Sequence, residues 1–111
     1  MVDSLFFWIP RIEPGGIFVM EDIQPIEEPN PFRTHILPQL MKDIHWCGDP
    51  KLKDTRCFPD LQPFIFSIHC EMHICAFLRN NKPAIEPDKA KSITPPGAFS
   101  NAKKCLFGPH N

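Results

Sequence analysis

Fourteen prolines are spread through 111 residues, and no other feature limits the folding of this chain as much. Each proline removes a backbone donor, fixes its own φ and pushes the residue before it away from the helical region. Long helices are therefore excluded, and short helices, short strands and frequent turns remain. Apolar residues make up 42% of the chain, enough for one small core. The length suits one domain and is too short for two.

The segments between the prolines carry distinct patterns. Asp3 or Ser4 suits a helix N-cap, and Leu5, Trp8, Ile9 and Ile12 recur at helical spacing, which predicts a short helix over 3–12 that Pro10 works against. Glu13-Pro14-Gly15-Gly16 reads as a turn, since proline presets one φ and glycine accepts positive φ. Ile17-Phe18-Val19-Met20 follows as an unbroken apolar run. Such a run predicts a strand over 17–21 buried on both faces, as in the middle of a parallel sheet. The run ends in Glu21-Asp22, at the strand end where open α/β sheets bind their ligands.

Residues 23–34 are acidic and proline-rich and read as loop. Ile36, Leu37, Leu40, Met41 and Ile44 fall on one helical face, predicting a helix over 36–46 with Pro38 in its first turn. Cys47-Gly48-Asp49-Pro50 stops it, and 49–62 is polar and irregular. Two strand-like runs, 63–70 and 73–79, flank Glu71-Met72 and predict a β-hairpin, although that pair lacks the glycine or asparagine of a tight primed turn. The expected division is a partial domain over 1–80 and a proline-rich, mobile tail over 81–111.

Two stretches carry a resemblance. Ile9-Pro10-Arg11-Ile12-Glu13-Pro14-Gly15-Gly16-Ile17-Phe18-Val19-Met20-Glu21-Asp22-Ile23-Gln24 and the later Ser67-Ile68-His69 through Ala76-Phe77-Leu78 resemble the C-terminal part of class I S-adenosylmethionine-dependent methyltransferases. The wording is similar to the macrocin O-methyltransferase-like branch and to cephalosporin hydroxylase-type proteins. The match covers residues 5–24 and 63–79, about half of the chain. It implies an α/β fold of Rossmann-like type represented by a truncated half-sheet: the last three strands, with the final strand antiparallel and inserted between the other two. It further implies transfer of a methyl group to a small-molecule hydroxyl, assisted by Mg²⁺ held in part by Glu21 and Asp22. The whole expectation rests on residues 17–20 forming an enclosed central strand. A position at an open margin would remove its footing.

The same resemblance exposes what is missing. Cofactor binding in that fold needs a glycine-rich loop after the first strand and an acid ending the second. The glycines are Gly15, Gly16, Gly48, Gly97 and Gly108, and none forms such a loop. S-adenosylmethionine and Mg²⁺ thus belong to the full-length relative, while this chain alone is expected to bind neither and to be inactive.

Charge adds little. Twelve basic and thirteen acidic residues give a formal net charge of −1, so neither nucleic acid nor an anionic membrane is indicated as a partner. No apolar stretch reaches the roughly 18–20 residues of a membrane span. Five cysteines without a secretory pattern predict reduced thiols and a cytoplasmic location, with Cys70 and Cys75 as small buried hydrophobes. Two other readings compete. His69, Cys70, His73 and Cys75 lie close enough to suggest a metal-binding module, but strand alternation would point His69 and Cys70 apart. Phe64, Phe66, Ile74 and Phe77 suggest instead a non-catalytic interaction protein that self-associates through an exposed half-sheet.

Overall fold

The computed structural model describes residues 2–23, 32–46, 48 and 56–86. Helix α1 spans Val2–Trp8, strand β1 Ile17–Met20, helix α2 Leu37–Asp43, strand β2 Ile65–Glu71 and strand β3 Ile74–Arg79. A π-helical turn, Phe32–Ile36, leads directly into α2, and a 3₁₀ turn, Gln62–Phe64, leads into β2. Helix α1 is seven residues long and stops before Pro10, whereas α2, also seven residues long, continues the π-helical turn into one helical run over 32–43 and ends well short of Pro50. Helix α1 is shorter than expected: it gives way before Pro10 to a turn in which Arg11 and Ile12 both donate to the Trp8 carbonyl. Pro38 sits in the first turn of α2, where its missing N–H costs nothing.

The strands form one mixed α/β unit with a three-stranded open sheet in the order β1-β3-β2. Strand β3 is antiparallel to both neighbours, so β1 and β2 run the same way, the arrangement that the resemblance implied for these three strands. The hairpin is shifted from its expected frame. Glu71 ends β2, Met72 and His73 make the turn, and His73 takes the positive φ of 64° instead of a glycine. Histidine is among the few residues that visit this region readily. A register shift between Ile65 and Ser67 inserts one extra residue, and Phe66 projects into solvent.

Strand β1 departs from expectation. It lies at the margin of the sheet, not in its middle, and Ile17 and Val19 are 61% and 48% exposed. Register explains this. Phe18 and Met20 share a face with Cys75, Phe77, Ile68 and Cys70, whereas Ile17 and Val19 share the opposite face with Ala76, Leu78, Ser67 and His69. The first face is the core, closed by Leu5, Ile9, Phe32, Ile36, Leu40, Phe58 and Leu61. On the other face Ile17, Val19 and His69 are exposed and Ala76, Leu78 and Ser67 only half-buried. An unbroken apolar run predicts two-sided burial, but one covering layer is all that the described residues supply.

Two ring contacts tie the covering layer together. Phe6 meets Phe58 edge-on at 5.2 Å, Phe32 meets Phe77 at 6.5 Å, and Phe77 is fully buried at the centre of β3. Phe64 and Phe77 are thus core residues and drop out of the expected interaction surface, which keeps Phe66 and the half-buried Ile74. The expected tail is described only over 81–86, where the chain is exposed and the Ile85 N–H donates to the Pro10 carbonyl. The rest of the expected tail lies outside the described residues.

Candidate functional site at the carboxyl end of β1

The approach to β1 explains why two glycines are needed there. Gly15 has φ of +82°, and a Cβ on Gly16 would sit 2.9 Å from the Glu13 carbonyl oxygen. The Gly16 N–H donates to that same carbonyl, closing the turn, and its own carbonyl accepts from the Arg79 N–H. This end of the sheet is therefore set by backbone geometry.

At the other end, β1 stops in Glu21 and Asp22, both exposed. Asp22 adopts φ of 57° and turns the chain sharply. Ile23 then swings back into the core, its N–H donating to the His73 carbonyl at 2.9 Å. The His73 ring Nδ1 lies 3.4 Å from the Ile23 carbonyl oxygen. Asp22 and His73 are the described non-glycine residues with positive φ, and these hydrogen bonds bring the two tight turns side by side.

A hollow of about 350 Å³ opens beside this junction, lined by Ile23, Arg33, Leu37 and the turn from Cys70 to Cys75. Its lining is mainly apolar, with Arg33, Glu71 and His73 as the polar groups. Glu21 and Asp22 stand next to it in sequence but do not line it. As donors the two acids suit Mg²⁺, which commonly takes one or two carboxylates and keeps several waters. Among the described residues no group of three or more histidine, cysteine or acidic side chains is placed to hold a metal.

The cysteines correct the sequence reading. Cys70 and Cys75 are joined in a disulfide across the hairpin, and Cys57 is disulfide-bonded as well. The register places Cys70 directly opposite Cys75, with Cα atoms 4.1 Å apart, so the pairing follows from the two-residue turn. Nor are both buried: Cys75 is, while Cys70 is exposed. The bond also removes two donors from the expected metal cluster. His69 points to the other face, where its Nε2 lies 3.6 Å from Glu71 Oε1, as strand alternation implied.

Two buried charges carried no recognisable motif. Asp43, 2% exposed, accepts from the Phe58 N–H at 2.8 Å, the Cys57 N–H at 3.2 Å and Gln39 Nε2 at 2.8 Å, pinning the 57–58 segment to the end of α2. The only hint in the sequence is an acid in the last turn of a helix, where the dipole disfavours it. Arg79 is equally buried and donates to the Phe64 and Lys82 carbonyls and to Asn80 Oδ1, with its guanidinium 4.9 Å from the Phe64 ring centre. Burial lowers its pKa from the usual range, yet an arginine stays charged. A second, smaller hollow of about 200 Å³ lies beside α2, where Arg56 stacks over Trp46 at 3.7 Å.

The described residues define a small α/β unit with an open antiparallel sheet and one uncovered face. Compared with known proteins, the chain matches no family model, no curated protein and no solved structure. No helix among the described residues is long and apolar enough to cross a membrane.

Proposed function

We propose that this chain supplies the closing strands of a Rossmann-like methyltransferase sheet, in which Glu21 and Asp22 face the acceptor site. The supporting observation is topological: β1 and β2 run parallel, and the last strand returns antiparallel between them. The marginal position of β1 fails the condition of an enclosed central strand on which the resemblance was made to rest, so the proposal stands on strand order and direction alone. On this reading, the open edge and the exposed Ile17 and Val19 correspond to the side on which a complete sheet of this kind carries further strands and helices.

Within such a protein, a bound magnesium ion would polarise the acceptor hydroxyl of a small molecule. The residues of this chain do the positioning. Gly15 and Gly16 set the entry to β1, Asp22 turns the strand end outward, and the Ile23–His73 hydrogen bonds hold that turn against the hairpin. The chain by itself has no glycine-rich cofactor loop, and it is assigned no methyl transfer of its own. A cytoplasmic location belongs to the same proposal, on the condition that the Cys70–Cys75 bond spends its time there reduced.

Two titrations of the full chain test this. Isothermal calorimetry with S-adenosylmethionine is expected to give no binding heat, and micromolar binding would overturn the assignment of the cofactor to another part of the protein. Magnesium titration followed by NMR is likewise expected to leave the Glu21 and Asp22 amides unmoved, because two carboxylates are only part of such a site. Shifts at both amides that Glu21→Gln with Asp22→Asn abolishes would overturn the assignment of the metal to the full-length relative.

A second reading is favoured by one observation, the uncovered sheet face bearing Ile17, Val19 and half-buried Leu78. It is self-association of a non-catalytic protein through that half-sheet. Concentration-dependent mass in light scattering supports it, and a monomer at all concentrations excludes it.

A further inference from the structure

The bond between Cys70 and Cys75 is asymmetric in its surroundings. Cys70 is exposed, Cys75 is buried, and both border the hollow that Arg33 and His73 also line. An incoming sulfur can therefore reach one partner and not the other. The sheet has no evident need of the link, because the bond closes a loop of only a few residues between strands already joined by a full backbone ladder. Short loops gain least from closure in the chain-entropy view. What the bond does constrain is the turn Glu71–Ile74, and through His73 the hydrogen bonds that hold Ile23 and hence the strand end carrying Glu21 and Asp22.

We infer that Cys70–Cys75 is a reversible redox centre that sets the rigidity of the junction between the hairpin turn and the carboxyl end of β1. The reductant is a dithiol. One of its thiolates attacks Cys70 Sγ, forming a mixed disulfide with Cys70 and expelling Cys75 as a thiolate, which takes up a proton. The second thiolate of the donor then attacks its own sulfur in the mixed disulfide and releases Cys70. Two electrons pass from the donor, which leaves as a disulfide, and the protein gains two thiols. With the bond open, only the ladder and the His73–Ile23 contacts hold the turn. The inference stands independently of the methyl-transfer reading.

The hollow beside Cys70 gives the attacking thiolate its approach. Arg33 and Glu71 line that approach with opposite charges, so the hollow supplies access to Cys70 without a net bias for or against an anionic sulfur. Cys75, enclosed by the core face, is the natural leaving partner only if attack comes from outside, so the adduct position reports the direction of approach.

Reaction of the folded full chain with reduced glutathione, followed by alkylation and peptide mass spectrometry, is expected to place the glutathione adduct on Cys70 and the alkyl group on Cys75. Dithiothreitol is expected to free both thiols, at a concentration that mass spectrometry shows to leave the Cys57 disulfide intact, while far-UV circular dichroism stays unchanged. In hydrogen exchange, reduction should speed the Ile23 amide by about tenfold or more and leave Phe77 protected. An adduct on Cys75, a bond that resists the dithiol until denaturant is added, or an Ile23 amide indifferent to reduction would each overturn the inference. Cys75→Ser provides a second check: its lone Cys70 should form a disulfide with oxidised glutathione in the folded state, and failure to do so counts against attack at Cys70.

Discussion

The two faces of the sheet are built from similar residues and have different fates. On one, Met20, Ile65, Cys75 and Phe77 are packed under the helices and the loop carrying Phe58 and Leu61. On the other, Ile17, Val19, Ala76 and Leu78 look outward with Ser67 and His69. Side-chain chemistry alone does not separate them, since isoleucine and valine are no more polar than methionine. What separates them is the amount of covering chain, and a chain whose proline spacing permits only short helices has little to cover with.

Mutations on the two faces should diverge in proportion. The largest effect is expected at the centre of the covered face. Phe77→Ala removes a fully buried ring from contact with Phe32 and should cost about 3–5 kcal/mol, enough to unfold a marginal domain, as read by denaturant titration. An intermediate effect is expected where α2 is pinned. Asp43→Ala strands the Phe58 and Cys57 N–H groups and should cost about 1–3 kcal/mol, whereas Asp43→Asn keeps an acceptor and should cost less. Equal losses for the two variants would mean that both carboxylate oxygens are needed as acceptors, since asparagine turns an NH2 toward one of the two backbone donors. The smallest effect belongs to the open face: Val19→Thr should change stability by no more than about 0.5 kcal/mol. A loss as large as that at Phe77 would show that the outer face is covered in solution, and so would merge the two faces into one kind of surface.

The strands were legible in advance from their apolar runs and from the turn signals at Gly15-Gly16 and at Glu71-Met72, with their order implied only by the resemblance. Burial of β1 was not. Ile17-Phe18-Val19-Met20 reads the same whether a strand is central or marginal, because composition reports what a residue tolerates and not what lies above it. The disulfide was missed for a similar reason. Counting five cysteines argued for free thiols, whereas the decisive fact was register: a two-residue turn one position earlier would have set Cys70 opposite His73 and Cys75 opposite Ile68, no longer facing each other. Asp43 and Arg79 had no motif to announce them; each is a lone charge whose meaning comes from carbonyls and N–H groups brought in by distant segments.

The last of the described strands is the middle strand of the sheet, and this dictates a schedule for synthesis. Ile17 pairs with Leu78 and Met20 with Cys75, so the apolar β1 segment leaves the ribosome long before its only described strand partner exists. Contacts so distant along the chain form slowly, after the local hairpin has closed. During that interval the Ile17–Met20 backbone is an unpaired strand in an incomplete protein, which makes it the segment most in need of chaperone protection.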